Sequence, residues 1–142
     1  MENRLDITAL KKAAAAFDNA LAFALKVESK PVGKLEFFEL ESARASVIQH
    51  FEFCYELCWK TMKRFIEMDI GSDADILTRK DIFRISAEKR LVVDFGRWIL
   101  FNGARNRTSH VYNEDSAVEI YQIAKSFNMD LKAFVKTMEQ RI

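Results

Sequence analysis

Between Ala104 and Asp115 the chain reads ARNRTSHVYNED, which places Arg105, Asn106, Arg107, His110 and Tyr112 within eight residues. Arginine clamps a phosphate through paired, charge-assisted hydrogen bonds, because its planar guanidinium presents N–H donors at the spacing of two phosphate oxygens. Histidine titrates near neutrality, so it can take a proton from a ribose 2′-hydroxyl or return one to a leaving oxygen. Asn106, one turn before His110, can orient the imidazole. Such a set cleaves RNA with no metal and no cofactor. The alternative is structural: Arg105 and Arg107 complement the dipole at a helix C-terminus while His110 packs at the end of a bundle. Residue types alone leave both readings open.

Spacing adds a condition. On an ideal helix at about 100° per residue, Arg105 shares a side with Thr108, Ser109 and Tyr112, whereas Asn106, His110 and Asn113 share another. Arg105 and His110 then diverge by about 140°. They converge only where the helix breaks, or where a second subunit supplies the facing group. Asn113 is a good cap for a new helix, with Glu114 and Asp115 in its first turn, so a break at 111–113 is expected.

The elements that must position this stretch are helical. Only four glycines and one proline punctuate 142 residues, and no period-two alternation or internal repeat occurs. Ile7, Leu10, Ala14, Phe17, Leu21 and Leu25 recur at helical spacing through Glu28, and Lys30, Pro31 and Gly33 end that helix. A longer one, about Leu35 to Met68, carries the stripe Leu40, Val47, Phe51, Cys54, Tyr55, Cys58, Met62 and Phe65. Phe53 and Leu57 fall on its opposite side beside Ser46 and His50. A helix apolar on two sides wants two partners, so it is either central or at a subunit interface. A polar loop is expected over Asp69 to Leu77. Thr78 with Asp81 reads as a capping box for a short helix through about Lys89, and Asp94 caps a helix with Phe95, Trp98, Ile99 and Leu100. The last helix has the stripe Ala117, Tyr121, Ala124, Leu131, Phe134, Val135 and Met138. The expected fold is all-α: one domain over residues 1–142, an antiparallel four-helix bundle with an extra short helix.

Charge is uneven. Arg79 to Arg107 holds eight basic residues against three acidic ones, +5, which leaves −4 for the rest of a chain whose net charge is +1. An anionic partner is expected there, and Arg107 is a candidate contact for RNA or a nucleotide. MENRLDITAL carries charges where a signal peptide would be apolar, and no apolar run approaches the roughly 20 residues of a membrane span. A cytoplasmic protein without a membrane partner is expected, with Cys54 and Cys58 as free, buried thiols.

Two other motifs fail. GSDAD, Gly71 to Asp75, imitates the Gly-Ser and Asp-x-Asp elements of a nucleotidyltransferase, but there the carboxylates sit on a strand well beyond the turn. His50, Cys54 and Cys58 lie on successive turns that span roughly 12 Å of helix axis, whereas zinc needs its ligands within about 2.3 Å of one point. No metal site is expected.

Arg105-Asn106, three residues, then His110-Val111-Tyr112 resembles the Arg-x4-His-x-Tyr signature of the HEPN superfamily (higher eukaryotes and prokaryotes nucleotide-binding domains). FEFCYELCWKTMKRF (51–65), RNRTSHVYNED and AVEIYQIAK (117–125) together resemble the nucleotidyltransferase substrate-binding protein family, over about Leu35 to the C-terminus. The resemblance implies a homodimeric helical bundle encoded beside a separate minimal nucleotidyltransferase. It further implies an RNase toxin and an antitoxin that transfers AMP from ATP to the motif tyrosine. Carried over by position, Arg105 would bind the scissile phosphate, His110 would act in acid–base transfer, Asn106 would be the polar residue after the arginine, and Tyr112 would accept the nucleotidyl group. The family name implies an alternative, a non-catalytic subunit that presents substrate to the nucleotidyltransferase.

Overall fold

The computed structural model describes residues 5–31, 37–108 and 114–142. Five α-helices account for most of them: α1 (Thr8–Glu28), α2 (Phe37–Ile70), α3 (Arg79–Glu88), α4 (Phe95–Arg107) and α5 (Glu114–Arg141). No strand occurs among the described residues.

Local chemistry sets the helix ends. Asp6 accepts hydrogen bonds from the Thr8 backbone and hydroxyl at 2.9 and 2.6 Å, which satisfies a free donor where α1 begins. Thr78 and Asp81 form the reciprocal capping box of α3, and Asp94 accepts from the Gly96 backbone at 2.8 Å at the start of α4. The expected loop over residues 69–77 is replaced by more regular structure. α2 runs on to Ile70, Gly71 takes φ +62°, and a 3-10 turn covers Gly71–Ile76. Glycine pays no Cβ penalty in that left-handed conformation, so it stops the α-helix while the backbone keeps turning.

α2 is central, packing against all four other helices. Its contacts give the chain direction. Arg44 lies over Tyr121, Phe51 meets Phe127, and Arg141 lies over Phe65, so α2 and α5 run parallel. α1 runs against α5, through Lys11–Glu139 and Lys132–Asp18. α4 also runs against α5, through Arg97–Asp130 near its start and Arg107–Glu119 at its end. The order α1, α2, α4, α5 is therefore up, down, up, down, with α3 as the extra short helix, as the sequence predicts.

Phe127 is the centre of the core. Its ring meets Phe17 from α1 at 5.9 Å, Phe51 from α2 at 5.1 Å, and Trp98 and Phe101 from α4 at 5.7 and 5.0 Å, all edge-to-face. That geometry sets the positive edge of one ring on the negative face of the next. Two stripe assignments need correction. Leu25 is 45% exposed, and Ala24 and Val27 are buried in its place, because the buried face of α1 centres on Phe17, Leu21 and Ala24, and Leu25, about 100° on from Ala24, falls at its edge. On α5 the buried face also takes in Ile120 and Phe127.

Candidate functional site

α4 is tied to α5 at both of its ends. Near its start, Arg97 Nε and Nη2 donate to Asp130 Oδ2 at 2.9 and 2.6 Å, and Nη2 also donates to the Ser126 carbonyl at 3.1 Å. At its end, Arg107 Nη1 and Nη2 donate to the two Glu119 oxygens at 3.0 and 2.9 Å. Those hydrogen bonds and the opposite charge raise the Arg107 pKa and lower that of Glu119. Arg107, the candidate RNA or nucleotide contact, thus already has an anionic partner. The pair is exposed, so a polyanion can compete for it.

Arg105 faces α2. Its Nε lies 3.4 Å from Glu56 Oε1, without hydrogen-bond alignment, and its Nη1 lies 3.7 Å from Glu52 Oε2. Nη1 also donates to Thr108 Oγ1 at 3.0 Å, while the Thr108 hydroxyl donates to the Arg105 carbonyl at 2.7 Å. The side chain is 28% exposed, so it is supported on one edge and open on another. Asn106 is exposed.

His110 and Tyr112 lie outside the described residues, as do the expected break at 111–113 and its Asn113 cap. α4 itself ends at Arg107 with Thr108 as its C-cap, and α5 starts at Glu114. The 140° separation on a continuous helix is therefore not imposed by α4.

The partners of Arg105 belong to a polar network that sequence reading did not single out. Glu56 Oε2 accepts the Trp59 indole N–H at 2.9 Å, and Glu56 Oε1 lies 3.9 Å from Arg79 Nη1 on α3. The Arg79 guanidinium stacks 4.6 Å from the centre of the Trp59 ring and lies 5.9 Å from that of Tyr55. Tyr55 donates a short hydrogen bond to Asn102 Oδ1 on α4. Burial pushes the Tyr55 phenol up to about 12, against a lowering by Arg79, so it remains a neutral donor. The available signal was the spacing of Glu52 and Glu56, four apart and flanking the core residues Cys54 and Tyr55.

His50, Cys54 and Cys58 turn to separate partners. His50 Nδ1 donates to the Ser46 carbonyl at 2.8 Å and Cys54 donates to the Ala13 carbonyl at 3.2 Å. Burial raises the Cys54 thiol to about 12 and that of Cys58 well above its ordinary value, which keeps both protonated. Among the described residues no cluster of three or more His, Cys, Asp or Glu side chains is arranged to hold a metal ion. No helix among them is long and apolar enough to cross a membrane.

The family model described as nucleotidyltransferase substrate binding protein like matches residues 5–140. The chain belongs to this family. The match takes in α1, so membership of the nucleotidyltransferase substrate-binding family extends well before the Leu35 boundary expected from the motif blocks. A curated relative from Haemophilus influenzae, named probable ribonuclease HepT, is 34% identical over 99 residues, 68% of each chain. A solved structure from the same species, described as revealing the fold of a substrate binding domain of a nucleotidyltransferase, is similar with a TM-score of 0.83. It is 24% identical, covering 94% of this chain and 99% of its own. That second likeness establishes the fold, the all-α bundle that the HEPN resemblance implies.

Proposed function

We propose that this nucleotidyltransferase substrate-binding family member is the HEPN component of a two-component toxin–antitoxin system, a metal-independent endoribonuclease regulated by a partner minimal nucleotidyltransferase. The observation that carries the proposal is Arg105: a guanidinium fixed on one edge by α2, open on another, and one turn ahead of the segment that bears His110 and Tyr112. The name of the curated relative supports the same reading.

In this mechanism Arg105 holds the scissile phosphate and stabilises the charge that builds on it. His110 takes the proton from the ribose 2′-hydroxyl. The 2′-oxygen attacks phosphorus, the bond to the 5′-oxygen breaks, and the proton that His110 now carries passes to the leaving oxygen, directly or through water. The products are a 2′,3′-cyclic phosphate and a 5′-hydroxyl. Asn106 orients the imidazole, and Arg107, once released from Glu119, adds a backbone contact. The partner would transfer AMP from ATP to the Tyr112 hydroxyl with release of pyrophosphate, adding charge and bulk that exclude RNA. A homodimer belongs to this reading, with Phe53, 54% exposed on α2, on the face of that helix which a second copy would cover.

RNA cleavage by the purified chain is expected to persist in EDTA and to disappear in His110→Ala; equal activity in that variant would remove His110 from the chemistry. With the partner, ATP and magnesium, intact-mass analysis is expected to show AMP adducts that vanish in Tyr112→Phe. The family description favours one other reading, a non-catalytic subunit that presents substrate to the nucleotidyltransferase. It predicts no RNA cleavage, together with a change in the partner's nucleotide turnover when this chain is added.

A further inference from the structure

We propose that Glu56 is the positioning residue for Arg105 and that Glu52 is the counter-ion that an incoming RNA phosphate displaces. The inference rests on the ribonuclease reading above. Glu52 and Glu56 lie one turn apart on α2 and address the same guanidinium, yet their surroundings differ. Glu56 is held by the hydrogen bond from the Trp59 indole at 2.9 Å on α2 and by the charge of Arg79 at 3.9 Å on α3, and its Oε1 lies 3.4 Å from Arg105 Nε on α4 without hydrogen-bond alignment. Arg79 is itself held against the Trp59 ring. Glu56 therefore presents a carboxylate of fixed position to the Nε edge of Arg105.

Glu52 approaches the other edge, 3.7 Å from Nη1, beyond hydrogen-bond distance. Nη1 is also the nitrogen that donates to Thr108, the last described residue before the segment carrying His110. Glu56 occupies the Nε edge, so a phosphate must take the Nη edge, where Glu52 stands. Two like charges cannot share that edge without repulsion, so substrate entry turns Glu52 away while Glu56 keeps the guanidinium aimed. The two carboxylates act in opposite directions: one holds the arginine in place, the other competes for it.

The test compares Glu52→Gln and Glu56→Gln in the full chain. Affinity is read with a single-stranded 2′-O-methyl RNA oligonucleotide, which lacks the attacking hydroxyl, and kcat and KM with the unmodified RNA. Glu52→Gln is expected to bind the oligonucleotide up to about fivefold more tightly, the effect of losing one partly exposed ionic competitor, and to lower KM. Glu56→Gln is expected to lower kcat by roughly tenfold or more with a smaller change in KM, as a misaimed guanidinium should. Trp59→Phe removes the indole donor from Glu56 without touching Arg105. It should lower kcat in the same direction, and so separates positioning from misfolding of the Glu56 variant. A merely structural role cannot give opposite effects from two glutamates one turn apart. The proposal is overturned if Glu52→Gln binds no more tightly than the natural chain, or if Glu56→Gln and Trp59→Phe both keep its kcat. A natural chain that cleaves no RNA removes the ribonuclease reading and this inference with it, whereas a natural chain that cleaves beside indifferent variants overturns the inference alone.

Discussion

Arg105 Nε lies 3.4 Å from Glu56 Oε1, across the packing of α4 on α2, and the same carboxylate oxygen lies 3.9 Å from Arg79 Nη1 on α3. Two guanidiniums from different helices thus converge on one oxygen. The arrangement sets the aim of Arg105 without saturating it, because its Nη edge meets only Thr108 closely.

Replacing Arg105 with lysine separates charge from geometry. Lysine keeps the cation near Glu52 and Glu56 but loses the planar fork. Thermal stability is expected to stay within about 0.5 kcal/mol, since partly exposed ion pairs contribute little. RNA cleavage is expected to fall by about a hundredfold or more. Cleavage retained at near-natural rates would show that a point charge suffices.

The Arg107–Glu119 pair links the end of α4 to α5. The Arg107 hydrogen bonds hold the Glu119 carboxyl below its ordinary value. A depressed folded pKa contributes stability above the unfolded value, about 4.3, and loses it as pH falls through the lower folded value. Melting temperatures of the natural chain and Glu119→Gln should therefore differ most at neutral pH and low salt, and converge below about pH 4. A difference that widens with acidity would contradict the assignment.

Arg90 occupies the left-handed region at φ 62° where α3 ends, and Leu91 N donates back to the Ser86 carbonyl at 2.8 Å. That is the backbone pattern for which glycine is the usual occupant. Arg90→Gly should stabilise the chain by about 0.5–1 kcal/mol, the relieved Cβ strain less the added freedom of the unfolded chain. Calorimetry checks the sign; a lowered melting temperature would mean that the Arg90 side chain supplies more than its backbone costs.

Phe127 joins the rings of α1, α2 and α4 to α5. Phe127→Ala should cost about 3–5 kcal/mol, from lost transfer energy plus an unfilled cavity, and lower the melting temperature by roughly 10 °C or more. A loss below about 1 kcal/mol would show that the four helices can close over the gap.

Much of the fold was legible because its determinants are local. Thr78 with Asp81 and Asp94 before Gly96 are capping interactions between residues two or three apart, and the three-four spacing of apolar residues marks each buried face whatever the neighbouring helix is. The exceptions are equally physical. Leu25 was placed inside by its four-residue spacing from Leu21, but the face that α1 buries centres on Phe17, Leu21 and Ala24 and leaves Leu25 at its edge. The 69–77 stretch looked like a loop because its residues are polar, yet a 3-10 turn tolerates polar residues where its surface faces water.

The sequence by itself determined the helices, the basic region and the family signature of Arg105, Asn106, His110 and Tyr112, because each is a pattern in nearby residues. Only the tertiary structure decided what those side chains meet: Arg107 paired with Glu119, and Arg105 set between Glu52 and Glu56 with Arg79 and Trp59 behind them. Glu52 and Glu56 are about fifty residues from Arg105 along the chain. Nothing in their spacing specifies that partner; the crossing of α4 over α2, fixed by Phe51, Trp98, Phe101 and Phe127 in the core, brings the carboxylates and the guanidinium together.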